Sequence, residues 1–354
     1  MAEREAGALC YNEITSQDKA WADLIIYILN QTGPIQNIFK DAEEVLFVGC
    51  GSALNVSFTG ASIFQNLTNI TARGVPAAEI YFFPGSLLRN DRKTLAVILS
   101  RSGKTSEVLN ALDYLHRRKI PTFGITCQEK SPLAQKSDLA LVLKSLVEQA
   151  VPTTRSVTGM IITLQLLAAI ISGNTGLLNE IQRLPEICSL QTPVFLALGK
   201  EIGCRTDLTS YAFVGNGPFY GQARESQLKI KEMTLYPADA YPLFDFRHGP
   251  QSIVGEHMLV TAMFSDSASP QEAQFLQDMK ALGGVTFALC DRSDRALRSC
   301  ADYILELNTG LSEMARGPLY MPAIQFTAYF RALSSGLNPD APHNLSYWIN
   351  LDGS

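Results

Sequence analysis

The strongest constraint on this chain is a repeat. Leu46-Phe47-Val48-Gly49-Cys50-Gly51 and Tyr211-Ala212-Phe213-Val214-Gly215-Asn216-Gly217 are both short apolar runs that end in a Gly-X-Gly turn. Helix-compatible sequence follows the first from Leu54. A buried strand feeding a glycine turn and then a helix is the opening of a parallel β/α unit, whose turn amides favour anions. Two such openings predict an internal duplication of doubly wound α/β halves. Leu54 stands where a third glycine would complete a dinucleotide fingerprint, so NAD is not expected. At 354 residues the chain has room for both halves.

Further strands are expected at 78–83, Thr94–Leu99, Pro121–Thr126 and Leu139–Leu143, then at Met258–Phe264, Val285–Leu289 and Tyr303–Leu307. The pattern breaks from Ser172 to Gln191, with glycines and Pro185. The expected organisation is one or two N-terminal helices over 1–40, a first half over 41–175, a connecting segment over 176–208, a second half over 209–335 and a tail over 336–354. The longest apolar stretch, Met160–Ile171, is short for a bilayer crossing.

Three segments carry chemistry. Ser100, Ser102, Thr105 and Ser106 crowd the end of the Thr94–Leu99 strand and the start of the next helix. One cap needs one hydroxyl, so four suggest a cradle for phosphate oxygens. A Walker A loop is absent, which argues against nucleoside triphosphates. Secondly, Glu225, Lys229 and Glu232 are spaced to share one helical face within about 60°. An ammonium one turn from a carboxylate positions it as a base. An exposed helix with an ordinary charge ladder is the competing reading. Thirdly, His248 follows on a Gly-Pro loop, and the hydroxyl-rich loop Val147–Arg155 could line a ligand or simply connect elements.

Other residues read as structural. His116 lies at a helix end, where it complements the dipole, and His257 begins a strand. Cys50 fits a small buried filler better than a nucleophile. The net charge of -5 argues against general nucleic-acid or anionic-membrane binding. Seven scattered cysteines without a CxxC pair suit a reducing compartment, and the acidic N-terminus lacks a secretory h-region, so a cytoplasmic protein is expected.

Taken together, the Gly-Cys-Gly-Ser turn, the loop Ser100–Glu107, the repeated halves and the run Glu225–Glu232 with Phe246–Pro250 resemble the isomerase portion of glucosamine-6-phosphate synthase, within the SIS (sugar isomerase) superfamily. The resemblance spans about residues 40–345, and no glutaminase domain is expected. It implies two tandem flavodoxin-like parallel-sheet α/β subdomains with flanking helices. It further implies that Gly51, Ser52, Ser100, Arg101, Ser102 and Thr105 hold the sugar phosphate, and that Val151 and Thr153 line the sugar. Glu232 would move a proton between C1 and C2 beside Lys229, and His248 would open the ring, reaching the neighbouring subunit of a homodimer. His343 occupies the family's arginine position, and Arg101 stands where the synthase commonly has glutamine. The family's imine-forming lysine is replaced by Tyr347, which cannot form a Schiff base. No metal or cofactor is expected.

The expected activity is an aldose/ketose isomerase on an amino-sugar phosphate, running as a glucosamine-6-phosphate-type deaminase that leaves a ketose 6-phosphate. The rivals are a 6-phosphofructosamine deglycase, an isomerase of another 6-anionic sugar, and a non-catalytic sugar-phosphate sensor. A sensor has no need of the Lys229, Glu232 and His248 set, and no DNA-binding arm is evident.

Overall fold

The computed structural model describes residues 5–89 and 91–351. The first four residues of the expected N-terminal helical region, Asn90, and the last three residues of the expected tail lie outside the described residues.

Three N-terminal helices are present where one or two were expected: α1 (Ala8–Thr15), α2 (Gln17–Leu29) and α3 (Thr32–Phe39). Then come β1 (Glu44–Gly49), α4 (Ser52–Thr68), β2 (Thr71–Pro76), α5 (Ala77–Phe82), β3 (Thr94–Leu99), α6 (Ser106–Arg117), β4 (Thr122–Thr126), α7 (Pro132–Lys136) and β5 (Leu139–Val142). Helices α8 (Arg155–Ser172), α9 (Thr175–Gln182) and α10 (Leu184–Gly203) lead to β6 (Ser210–Gly215), α11 (Pro218–Thr234), β7 (Ala238–Tyr241), β8 (Met258–Met263), α12 (Ser269–Ala281), β9 (Val285–Cys290), α13 (Arg295–Cys300), β10 (Tyr303–Glu306), α14 (Glu313–Arg316) and α15 (Met321–Ser334).

Two compact units result. One comprises Gln17–Gln149, Arg155–Arg183 and the described tail from Ser346; the other comprises residues 5–16, Ala150–Thr154 and Leu184–Leu345. Each holds a five-stranded sheet, ordered β2-β1-β3-β4-β5 and β7-β6-β8-β9-β10, and every strand pair is parallel.

The duplication extends to atomic detail. Gly51 and Gly217 have φ of 54° and 53°, a backbone that disfavours a Cβ. Helices α4 and α11 are both 17 residues long and end in left-handed caps at Asn69 and Leu235. Thr122 and Thr286 each donate an amide to an aspartate, Asp138 and Asp302, at 2.8 and 2.9 Å.

Three further expectations are corrected. Residues 78–83 fall mainly in α5, and the second strand is Thr71–Pro76. That strand carries Arg73 and Gly74 at a sheet edge, so it lacks an apolar run, whereas Ala77 and Ile80 bury at helical spacing. The pattern break around 175–191 belongs to two helices, α9 and α10, the latter with Pro193 inside it. The apolar stretch belongs to α8, whose 18 residues are long and apolar enough to cross a membrane, although 83% of it is buried inside the fold. Its Thr158 accepts from Trp21 Nε1 at 3.1 Å and donates to Gln17 at 2.6 Å, the satisfaction a protein interior requires.

Candidate functional site

In the first sheet the strand order reverses between β1 and β3, the switch point where open α/β sheets bind ligands. The register pairs Val48 with Ile98, so the Cys50–Ser52 turn and the Ser100–Thr105 loop leave neighbouring carboxyl ends. Ser100 Oγ lies 3.2 Å from Thr105 Oγ1 and accepts the Gly103 amide at 3.1 Å. Ser102 Oγ accepts the Lys104 amide at 3.2 Å. From behind, Cys127 N–H and Thr126 Oγ1 donate to the Arg101 carbonyl at 3.1 and 3.2 Å. Ser100 and Ser102 are buried, while Ser52 and Thr105 are half-buried and Gly51 is exposed. The loop is therefore a braced ring of hydroxyls at a helix start. Burial, and secondarily Glu107, pushes the Cys50 thiol up to about 11, which leaves it protonated and a poor nucleophile near neutrality.

Arg101 carries charge, but not into open space: its Nη1 pairs with the buried Glu148 at 3.3 Å. Its guanidinium lies 3.9 Å from the centroid of the Tyr347 ring.

The other unit holds the second cluster. Lys229 is fully buried on α11, 3.3 Å from Glu225 Oε1, paired with Glu232, and donating to Thr153 Oγ1 at 3.1 Å. The exposed charge ladder is thereby excluded. Glu225 is also buried, whereas the Glu232 side chain keeps 19% of its exposure and can meet solvent or substrate. Gln325 donates to the Thr154 carbonyl at 3.0 Å, and the Val151 amide to the Asp340 carbonyl at 3.1 Å, which fix the Ala150–Thr154 loop. Thr153 thus joins Lys229, and Val151 is half-buried on the same loop. His248 is exposed between two short 3-10 turns, with its amide on Asp245 and no side-chain partner among the described residues.

The second sheet has the same switch point, between β6 and β8, where Ser265, Ser267 and Ser269 follow β8 and Ser265 Oγ accepts the Ala268 amide at 3.1 Å. Glu272 braces that loop, accepting the Ser265 amide and hydroxyl at 2.8 and 3.0 Å. Burial, opposed by these hydrogen bonds, pushes its carboxyl up to about 7. A carboxyl raised in the folded state binds a proton that the unfolded chain lacks, so stability falls as pH rises from about 4.5 to about 7. Urea unfolding of Glu272→Gln should lose this component, roughly 3 kcal/mol across that window. Parallel stability curves for variant and parent would rule the account out.

Glu148, Gln325 and Glu272 are not evident as site residues from sequence. None belongs to a spacing pattern: Glu148 and Gln325 bond Arg101 and Thr154, far off in the chain, and Glu272 owes its raised carboxyl to burial. His116 also gains a specific contact, Nε2 lying 3.1 Å from Thr122 Oγ1.

Residues 38–170 match the SIS domain family. The chain carries a SIS domain. It is 26% identical over 347 residues to the glutamine–fructose-6-phosphate aminotransferase (isomerizing) of Methanothermobacter thermautotrophicus, covering 96% of this chain and 57% of that protein. The chain thus spans little more than half the length of that curated relative. The solved glucosamine-6-phosphate deaminase of Thermotoga maritima aligns with a TM-score of 0.79 and 28% identity, covering 97% of this chain and 99% of that one. The Escherichia coli tagatose-6-phosphate ketose/aldose isomerase aligns at 0.86 with 20% identity, covering 97% and 98%, and shows the shared fold. The proteins it resembles are, by name, enzymes acting on sugar phosphates.

Proposed function

We propose that the chain is an amino-sugar-phosphate isomerase working as a glucosamine-6-phosphate deaminase. The observation that carries this reading is the buried Glu225–Lys229–Glu232 cluster, which holds one carboxylate partly exposed beside an ammonium that solvent does not reach. The whole-length likeness to a deaminase supports it.

The residues suit the steps. Ser100, Ser102 and Thr105, with Ser52 and turn amides, hold the phosphate. His248 moves the proton that opens the ring; its exposure is compatible with service to a neighbouring subunit of a homodimer. Glu232 takes the proton from C2 of the open aldehyde, giving an enolamine, and returns it to C1, giving an imine at C2. Water adds to C2, the C–N bond breaks, and ammonia leaves fructose 6-phosphate. Tyr347 cannot capture the carbonyl as an imine, so the ketose is released rather than held covalently.

The test is incubation of purified protein with glucosamine 6-phosphate, without glutamine, following ammonia and fructose 6-phosphate together. Equal release of both is expected. Amine release only from 6-phosphofructosamines would make the chain a deglycase, and binding without turnover would make it a sensor.

A further inference from the structure

Two of the positions where this chain departs from the synthase pattern, Arg101 and Tyr347, make one contact. The Arg101 guanidinium stacks on the Tyr347 ring, and its Nη2 donates to the Tyr347 carbonyl at 3.3 Å. Tyr347 Oη donates to the Glu148 carbonyl at 3.1 Å. The Glu148 carboxylate pairs with Arg101 Nη1 and accepts the Ser156 amide at 3.1 Å and the Ser156 hydroxyl. A cation with its counter-ion, an aromatic face and a phenol hydroxyl thus close a ring of contacts around the tail.

Beyond Tyr347 the tail lies on the cradle itself. The Ser106 amide, first in α6, donates to the Ile349 carbonyl at 3.3 Å. Ser106 Oγ accepts the Leu351 amide at 3.0 Å and lies 3.3 Å from Asn350 Oδ1. Lys104 Nζ sits 5.2 Å from the Trp348 ring centroid. Yet Trp348, Ile349 and Leu351 remain 44%, 56% and 59% exposed. Apolar burial this shallow holds a terminal segment weakly, so the polar and stacking contacts around Arg101 dominate its attachment.

With the cradle read as the phosphate site, we propose that Arg101 and Tyr347 are positioning residues: they clasp residues 346–351 across the start of α6 and so determine how long a sugar phosphate stays in the cradle. Arg101 acts through the tail, its charge being committed to Glu148 and Tyr347. Tyr347 takes the place of a covalent hold on the substrate with a noncovalent hold on the tail.

Trp348 reports the clasp directly, because the other tryptophan, Trp21, is fully buried and shielded from quencher. In Tyr347→Ala, acrylamide quenching of Trp348 should rise at least about twofold, and KM for glucosamine 6-phosphate about tenfold, with kcat changed less than about threefold. Tyr347→Phe keeps the ring over Arg101 and should restore most of the parental KM. Adding Arg101→Gln to Tyr347→Ala should cost little more, since the contact is already gone. Unchanged quenching in Tyr347→Ala, a KM that stays put once the tail is loose, or strictly additive effects would overturn the clasp. Should glucosamine 6-phosphate prove not to be turned over, the quenching and the equilibrium binding of that sugar phosphate still decide the clasp, separately from the assigned reaction.

Discussion

Glu232→Gln should lower kcat for ammonia release by about a thousandfold while leaving the fold and KM nearly unchanged. The amide is close in shape to the carboxylate but cannot accept the C2 proton. Fully buried Lys229 keeps Glu225 as its counter-ion at 3.3 Å, so replacing Glu232 strands no buried charge, and the melting temperature should move little. The phosphate is held elsewhere on the chain, so binding should survive. The decisive measurement is kcat and KM with circular dichroism on the same sample. A variant that retains more than about a tenth of the parental kcat would remove Glu232 from the base role.

Lys229→Met should act first on stability. Lys229 is fully buried and Glu225 keeps 1% of its exposure, so the substitution leaves a carboxylate in the interior without its ammonium. Breaking such a pair by deleting one partner costs about 3–5 kcal/mol, or a melting temperature lower by roughly 10 °C. The Thr153 hydroxyl also loses its donor, so the Ala150–Thr154 loop should loosen. Combining Glu225→Gln with Lys229→Met removes the stranded charge and should recover much of the stability. It should not recover the activity, because Glu232 still lacks the ammonium that holds it. Equal melting temperatures for parent and Lys229→Met would show that the buried pair is not needed for stability.

Much of the fold was legible in the sequence. Strands β1, β3, β6 and β8 are continuous apolar runs bounded by turns, and the repeated Gly-X-Gly turns announced two β/α halves. The strand at Thr71–Pro76 was missed because an edge strand with Arg73 and Gly74 has neither alternation nor an apolar run. Helix α10 was obscured by Pro185 and Pro193, which tertiary packing overrides: at Gly199 and Gly203 it lies against α15 so closely that a Cβ would meet Phe326 Cβ at 2.3 Å and the Thr327 carbonyl at 2.6 Å. The hydroxyl cradle was visible because its residues are neighbours in the chain.

By itself the sequence determined what depends on short range. Periods of two and 3.6 residues, glycine turns and the Glu225–Lys229–Glu232 spacing are all set within a few residues of backbone. Tertiary structure alone decided which of those charges is buried and which groups pair. Lys229 reaches Thr153 across 76 positions, Arg101 reaches the Tyr347 carbonyl across 246, and Glu272 owes its raised pKa to the packing around it. Desolvation and ion pairing depend on whatever surrounds a group in space, and no local pattern of residues encodes those surroundings.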